Sequence, residues 1–220
     1  MAVLSSISSG SIIHMRAARR FAEVAARLDI PGGLSGLDPS AREVAIGELM
    51  DISLAAVLAA NCAVESVVNE LFVDRTLFGQ QHWFPGLRDD IGFALASAWR
   101  GVERYDVITK CQIATAIAGK PRLNFGSGSA QQLGALIELR NALVHHKPIS
   151  VEHGRPAHDS TDAIERKLHG KFELSRLCDC SYTFRWVRCL CSGCASWAYD
   201  TAANFQKDFF SLLGTDYPRP

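Results

Sequence analysis

The sequence predicts an all-α protein: an antiparallel helical bundle with an N-terminal helical extension and a long C-terminal helix. Apolar residues recur at three- and four-residue spacing over long stretches, and the alternating pattern of strands is nearly absent. Proline falls between the periodic stretches, where it bounds helices without interrupting them. At 220 residues, with a hydrophobic fraction of 48%, the chain is large enough for one sizeable core. No polar or repetitive stretch divides it convincingly, so the reading is an extension over 1–37, one helical domain over 38–214 and a tail over 215–220.

Met1 to Arg20 has weak apolar character at Ile12 and Ile13, followed by Arg16, Arg19 and Arg20, but no continuous signal-peptide core. Glu23 soon follows, which favours a frayed N-terminal helix over a transit peptide, and the expected location is cytoplasmic. No stretch reads as the roughly 18 consecutive apolar residues of a bilayer span, so no membrane partner is expected.

The first clear break is Pro31-Gly-Gly-Leu-Ser-Gly-Leu-Asp38-Pro39, where Asp38 suits a helix cap and Pro39 a first turn. A long helix should follow. From Ile46 a stripe of Leu49, Met50, Val57, Ala60, Val64, Val67, Val68 and Leu71 continues to about Asp74. Leu87 to Trp99 and Tyr105 to Ala118 read as two further helices, the second stopped by Gly119 and Pro121. After the loop Asn124 to Ser129, a helix runs from Gln131 to about His146 and ends before Pro148. Residues 149–160 lack periodicity, and 161–171 suit one short basic helix. The last helix follows Val187, Leu190, Cys191, Cys194, Trp197, Ala198, Thr201, Phe205, Phe209, Leu212 and Leu213, with Gly214 placed to end it.

Charge and cysteine content narrow the chemistry. Lys plus Arg number 23 and Asp plus Glu number 23, so no broad positive field holds the chain on nucleic acid, and such contact must rest on a local basic patch. Five of the seven cysteines lie between Cys178 and Cys194. Only Cys191-Ser-Gly-Cys194 has Cys-x-x-Cys spacing, and both of its thiols fall on the apolar stripe of a helix. Small buried thiols explain this better than zinc, and no metal or other cofactor is expected. Gly126-Ser-Gly128 lacks the Lys-Ser/Thr of a phosphate loop. His153, His158 and His169 read as members of a solvated excursion, and the four tryptophans as core and interface anchors.

One helix carries a placement that demands a reason. At about 100° per residue, Leu133, Leu136, Ile137, Leu143 and Val144 mark its apolar face, and Arg140 falls near the middle. Arginine cannot shed its proton, so it needs a carboxylate, a phosphate or solvent there. Asn61, Glu65 and Asn69 form a polar seam at i, i+4 and i+8 on the long early helix, which offers Glu65 as a partner. His145 lies five residues after Arg140, roughly 140° around the helix. Either the helix bends near Pro148, or a second subunit brings Arg and His into one cleft. Asn141 and His145 share a face. An Arg140–Glu65 ion pair, with His145 capping the last carbonyls, is the purely structural alternative.

The segment Arg140-Asn141-Ala-Leu-Val-His145, late in a four-helix-like chain, resembles the motif of HEPN domains, an Arg followed after four to six residues by His. Glu65-Ser-Val-Val-Asn69-Glu-Leu is similar to the Glu and Asn seam in the first core helix of several members, and the likeness spans roughly residues 45 to 213. The resemblance implies a helical-bundle homodimer with two Arg/His motifs facing across a cleft. Many members are metal-independent ribonucleases acting as toxins or in phage defence, and others are non-catalytic dimerisation, nucleotide-binding or RNA-binding modules.

Carried over by position, the resemblance makes His145 the proton carrier and Arg140 the stabiliser of the charged phosphate. Asn141 would hold geometry or substrate, and Glu65 would orient Arg140. RNA would be the substrate, cleaved by 2′-hydroxyl attack, with His146, Lys147 and Asn69 as binding residues and an antitoxin or regulatory protein as a further partner. Imidazole titrates near neutrality and guanidinium offers a fixed fork of donors, so the residue types suit phosphoryl chemistry without a metal.

Overall fold

The computed structural model describes residues 9–30, 36–77, 83–145, 164, 166–174 and 189–216. Six long helices carry the fold: α1 (Gly10–Leu28), α2 (Pro39–Leu77), α3 (Asp89–Val102), α4 (Val107–Ile117), α5 (Gly128–Val144) and α6 (Ser192–Leu213). The all-α expectation holds, and no strand occurs among the described residues.

α2 is the axis. Its 39 residues extend for about 58 Å at 1.5 Å per residue. The start is the one the sequence signals: the Asp38 carboxylate accepts from Ser40 N–H and Ala41 N–H at 2.9 and 3.0 Å. The expected stripe is buried from Leu49 to Leu71 except for half-buried Met50, but so are Ala56, Ala59, Ala63, Phe72, Asp74 and Arg75. The reason is that α1, α3, α4, α5 and α6 all pack on α2, which leaves it no continuous polar face. An 18-residue window of α2 is apolar enough to pass for a membrane span by length and composition, yet 50% of it is buried inside this structure.

α1, expected as an extension, packs more extensively on α2 than any other helix does and also lies against α6. Carboxylates fix it at both ends. Glu70 of α2 accepts from Ser11 N–H at 3.0 Å and Ser11 Oγ–H at 2.6 Å, placing negative charge at the positive end of α1. Asp29, just past the end of α1, accepts from Ser192 N–H and Oγ–H at 3.3 and 2.7 Å and so caps α6.

The core between α2 and α6 is aromatic. Phe84 stacks on Phe210 at 5.0 Å and Phe205 on Phe209 at 5.6 Å, and all four are fully buried. α6 ends as expected, with Gly214 at φ +78°, a conformation that glycine adopts without a Cβ penalty. Cys189, Cys191 and Cys194 are buried thiols. Burial above all raises the pKa of Cys194, and neighbouring Cys191 and Cys189 raise it further. Cys178 and Cys180 lie outside the described residues, as do His153 and His158.

Candidate functional site

α5 positions the Arg/His segment. Ala130, Leu133, Leu136 and Leu139 are buried at three-residue intervals, and this face packs on α6 and α2. Arg140 lies within this face, between Leu133 and Leu136 on the helical wheel at about 20° and 40° from them. It is half-buried because the helix leaves the core there, where Leu143 is half-buried and Val144 48% exposed.

The Arg140–Glu65 ion pair is corrected by the geometry. Glu65 is exposed, and among the described residues no carboxylate lies within ion-pairing distance of Arg140. Arg140 Nη1 instead donates to Asn141 Oδ1 at 3.0 Å. Glu65 and Arg140 still share a neighbourhood, because both act on the Cys62 thiol. Burial raises the Cys62 pKa most, the Glu65 carboxylate adds to the rise, and the Arg140 guanidinium opposes it.

Helical geometry continues to Val144, and His145 caps the end at φ −107° and ψ 31°, its N–H bonded to Asn141 O at 2.9 Å. The imidazole and Asn141 are exposed. Any bend near Pro148 lies outside the described residues, as do His146 and Lys147. The unbroken helix sends Arg140 and His145 out in directions roughly 140° apart. Two clefts, of about 860 and 600 Å³, open elsewhere, and neither is lined by Arg140, Asn141, His145 or Glu65.

The α2 seam is divided among different tasks. Asn61 is buried and donates to Val57 O at 3.0 Å and to Leu136 O at 3.5 Å, so it ties α2 to α5. Asn69 is half-buried and accepts from Lys110 Nζ at 2.8 Å, which ties α2 to α4. Lys110 is buried and its ammonium lies 5.4 Å from the Trp99 ring centroid, so an amide dipole and an aromatic face replace water around that charge.

Sequence reading missed Cys62 and Lys110. The position of Cys62, three residues before Glu65, was a signal on the same seam. Lys110 gave none, because a lysine in a short helix reads as solvated until its neighbours are known. Among the described residues no group of three histidine, cysteine or acidic side chains is arranged to hold a metal ion. No family model, curated protein or solved structure matches the chain.

Proposed function

We propose that this chain is a HEPN-like, metal-independent endoribonuclease that works as a homodimer, a toxin or phage-defence effector controlled by a partner protein. The observation that carries this reading is the state of Arg140. It is a permanent cation, half-buried on the apolar face near the end of α5, hydrogen-bonded to a neutral amide and without a carboxylate in ion-pairing distance among the described residues. A phosphate suits that vacant charge, and an exposed imidazole stands one turn beyond.

In this reading the 2′-hydroxyl of a nucleotide attacks its own 3′-phosphate, and His145 removes the hydroxyl proton. The 5′-oxygen leaves with a proton returned by an imidazole, and a cyclic phosphate remains. Arg140 neutralises the charge that gathers on the non-bridging oxygens, and Asn141 Oδ1 keeps the guanidinium oriented. The divergence of Arg140 and His145 on one helix is met by a second copy, whose imidazole completes the pair across the two-fold axis. The exposed Val144 beside His145 gives such a contact an apolar component.

That same divergence of the two side chains on one helix favours a second reading, a non-catalytic dimerisation or RNA-binding module. Purified protein with single-stranded RNA and excess chelator separates the two. The enzyme cuts RNA to cyclic-phosphate ends, and Arg140→Ala and His145→Ala each abolish cutting while circular dichroism and dimer mass stay unchanged. If the wild type leaves RNA intact and both substitutions only dissociate the dimer or weaken RNA binding, the module reading replaces the enzyme.

A further inference from the structure

The 600 Å³ cleft lies between the start of α5, the outer face of α6 and the turn His169-Gly170-Lys171. Its volume is that of a small-molecule site. The turn is fixed on the bundle at three points: Lys167 is ion-paired to Glu138 of α5, Leu168 is buried in the core, and Phe172 packs on Trp197 with ring centroids 5.5 Å apart. Gln132 joins the walls, because its Oε1 accepts from Lys171 Nζ at 2.8 Å and from Trp197 Nε1 at 3.3 Å. The cleft is thus built before any ligand arrives.

What it lacks is internal neutralisation. Trp197, Thr201, Asn204 and Asp208 follow the cleft along α6 at three- and four-residue spacing with Asp200 beside them, so this wall carries two exposed carboxylates. The turn supplies the half-buried Lys171 ammonium and the exposed His169 ring. Among the described residues no ion pair joins Lys171 to Asp200 or Asp208, and the ammonium is bonded instead to the neutral Gln132 amide. The start of α5 adds positive potential, since its N-cap Ser127 makes no side-chain hydrogen bond to the first turn and Ser129 of that turn lines the cleft. Opposite charges therefore share one cleft and stay beyond ion-pairing distance of each other.

We propose that this cleft binds a free amino acid as a zwitterion, its carboxylate held by Lys171 and the first turn of α5 and its ammonium by Asp200 or Asp208. A simple anion would meet two carboxylates, and a simple cation would meet Lys171; each contact is repulsive, weakened by solvent but not reversed. A molecule carrying both signs answers both walls at once. The carboxylate also suits the uncapped end of a long helix, where N–H groups point outward. Trp197, 9% exposed, gives the cleft an apolar surface for the carbon atoms between the two charges. None of these residues belongs to the Arg140 site, so the two proposals stand or fall separately.

The test titrates the full chain at low salt with glycine, 4-aminobutyrate and 6-aminohexanoate, three zwitterions of increasing charge separation, by calorimetry and by NMR of the tryptophan indole N–H groups. Saturable binding of at least one is expected, with a dissociation constant of about 1 mM, because partly exposed ion pairs are weak. It should shift the Trp197 indole resonance, whose proton is bonded in the cleft wall. The matching acid without the amine, and the amine without the acid, should each bind at least about fivefold more weakly. Lys171→Gln, and the double variant Asp200→Asn with Asp208→Asn, should each lose binding with circular dichroism unchanged. The two aspartates are exposed, so the double variant decides the matter even if Lys171→Gln fails to fold. Absence of saturation for all three probes overturns the proposal. So does equal binding of either single-charge analogue, or wild-type affinity in either folded variant.

Discussion

Two arginines of this chain are held in opposite ways. Arg75, near the end of α2, has a side chain only 2% exposed; it bonds to Asp89 at 2.9 Å and to Leu87 O at 2.9 Å. Its stem lies so close to Gly92 of α3 that no Cβ fits there without displacing it. Arg140 is half-buried and bonded to Asn141 near the C-terminal end of α5. The first guanidinium is consumed by the fold, joining α2 to the start of α3. The second adds little to the fold and keeps donors for something else. Burial of charge does not mark function by itself; what marks it is charge held in place without its counter-charge.

The sharpest way to break that contrast is to truncate both. Arg75→Ala empties a packed volume, strands the Leu87 carbonyl and leaves buried Asp74 without its cationic neighbour. We expect a loss of about 2–5 kcal/mol in denaturant unfolding, by the combined cavity and hydrogen-bond effects. Arg140→Ala should change stability by less than about 1 kcal/mol, as surface substitutions do. If instead Arg140→Ala unfolds the protein and Arg75→Ala is silent, the assignment of roles is inverted.

Activity gives the next largest effect. With single-stranded RNA under single-turnover conditions, Arg140→Ala should slow cleavage by about 10²–10³-fold, the range for losing one preformed donor to a developing oxyanion. His145→Ala should fall at least as far, and Arg75 variants that remain folded should cut at the wild-type rate. Mixed dimers of Arg140→Ala and His145→Ala chains sharpen this further. A composite site predicts that one of the two clefts regains both groups and activity returns in part; a site within one chain predicts no recovery.

A smaller effect concerns Asp74, the neighbour of Arg75. Its carboxylate is buried, accepts from Trp83 N–H at 2.8 Å through Oδ1, and leaves Oδ2 without a partner among the described residues. Burial raises its pKa above 3.8, against the lowering by the Trp83 N–H and by Arg75. A raised folded-state pKa favours the native state fully below the unfolded value, and that contribution is lost as pH rises through the folded value. Asp74→Asn keeps the acceptor and removes the titration. Its stability relative to wild type should therefore climb as pH rises from about 3 toward neutrality, and a gap that stays flat or narrows contradicts the assignment.

The legibility of this chain follows the range of the forces. The start of α2 at Asp38, the end of α6 at Gly214 and the stripe from Leu49 to Leu71 depend on residues a few positions apart, and each is where periodicity and capping place it. The tertiary caps of Glu70 on α1 and Asp29 on α6 join residues 59 and 163 positions apart, and no local pattern announces them. The site divides the same way. Arg140 in odd company was visible from the helical wheel, yet its half-exposure depends on how far along α5 the neighbouring α6 and α2 reach. Glu65 as its ion-pair partner failed because a shared seam gives angular direction along each helix but not the distance between helices.

Cys62 turns that remaining separation into a measurement. Glu65 raises the pKa of its thiol and Arg140 lowers it, so the two charges can be removed one at a time and read at a third residue. Alkylation at a fixed pH near 8, followed at Cys62 by peptide mass spectrometry, reports the thiolate fraction. Glu65→Gln should speed the reaction and Arg140→Ala should slow it, each by a few-fold given the half-buried and partly screened position. Opposite signs place a carboxylate and a guanidinium on one surface with the thiol between their fields. Equal rates in both variants separate Glu65 from Arg140 altogether, and with them the two helices from which the proposed phosphate site is built.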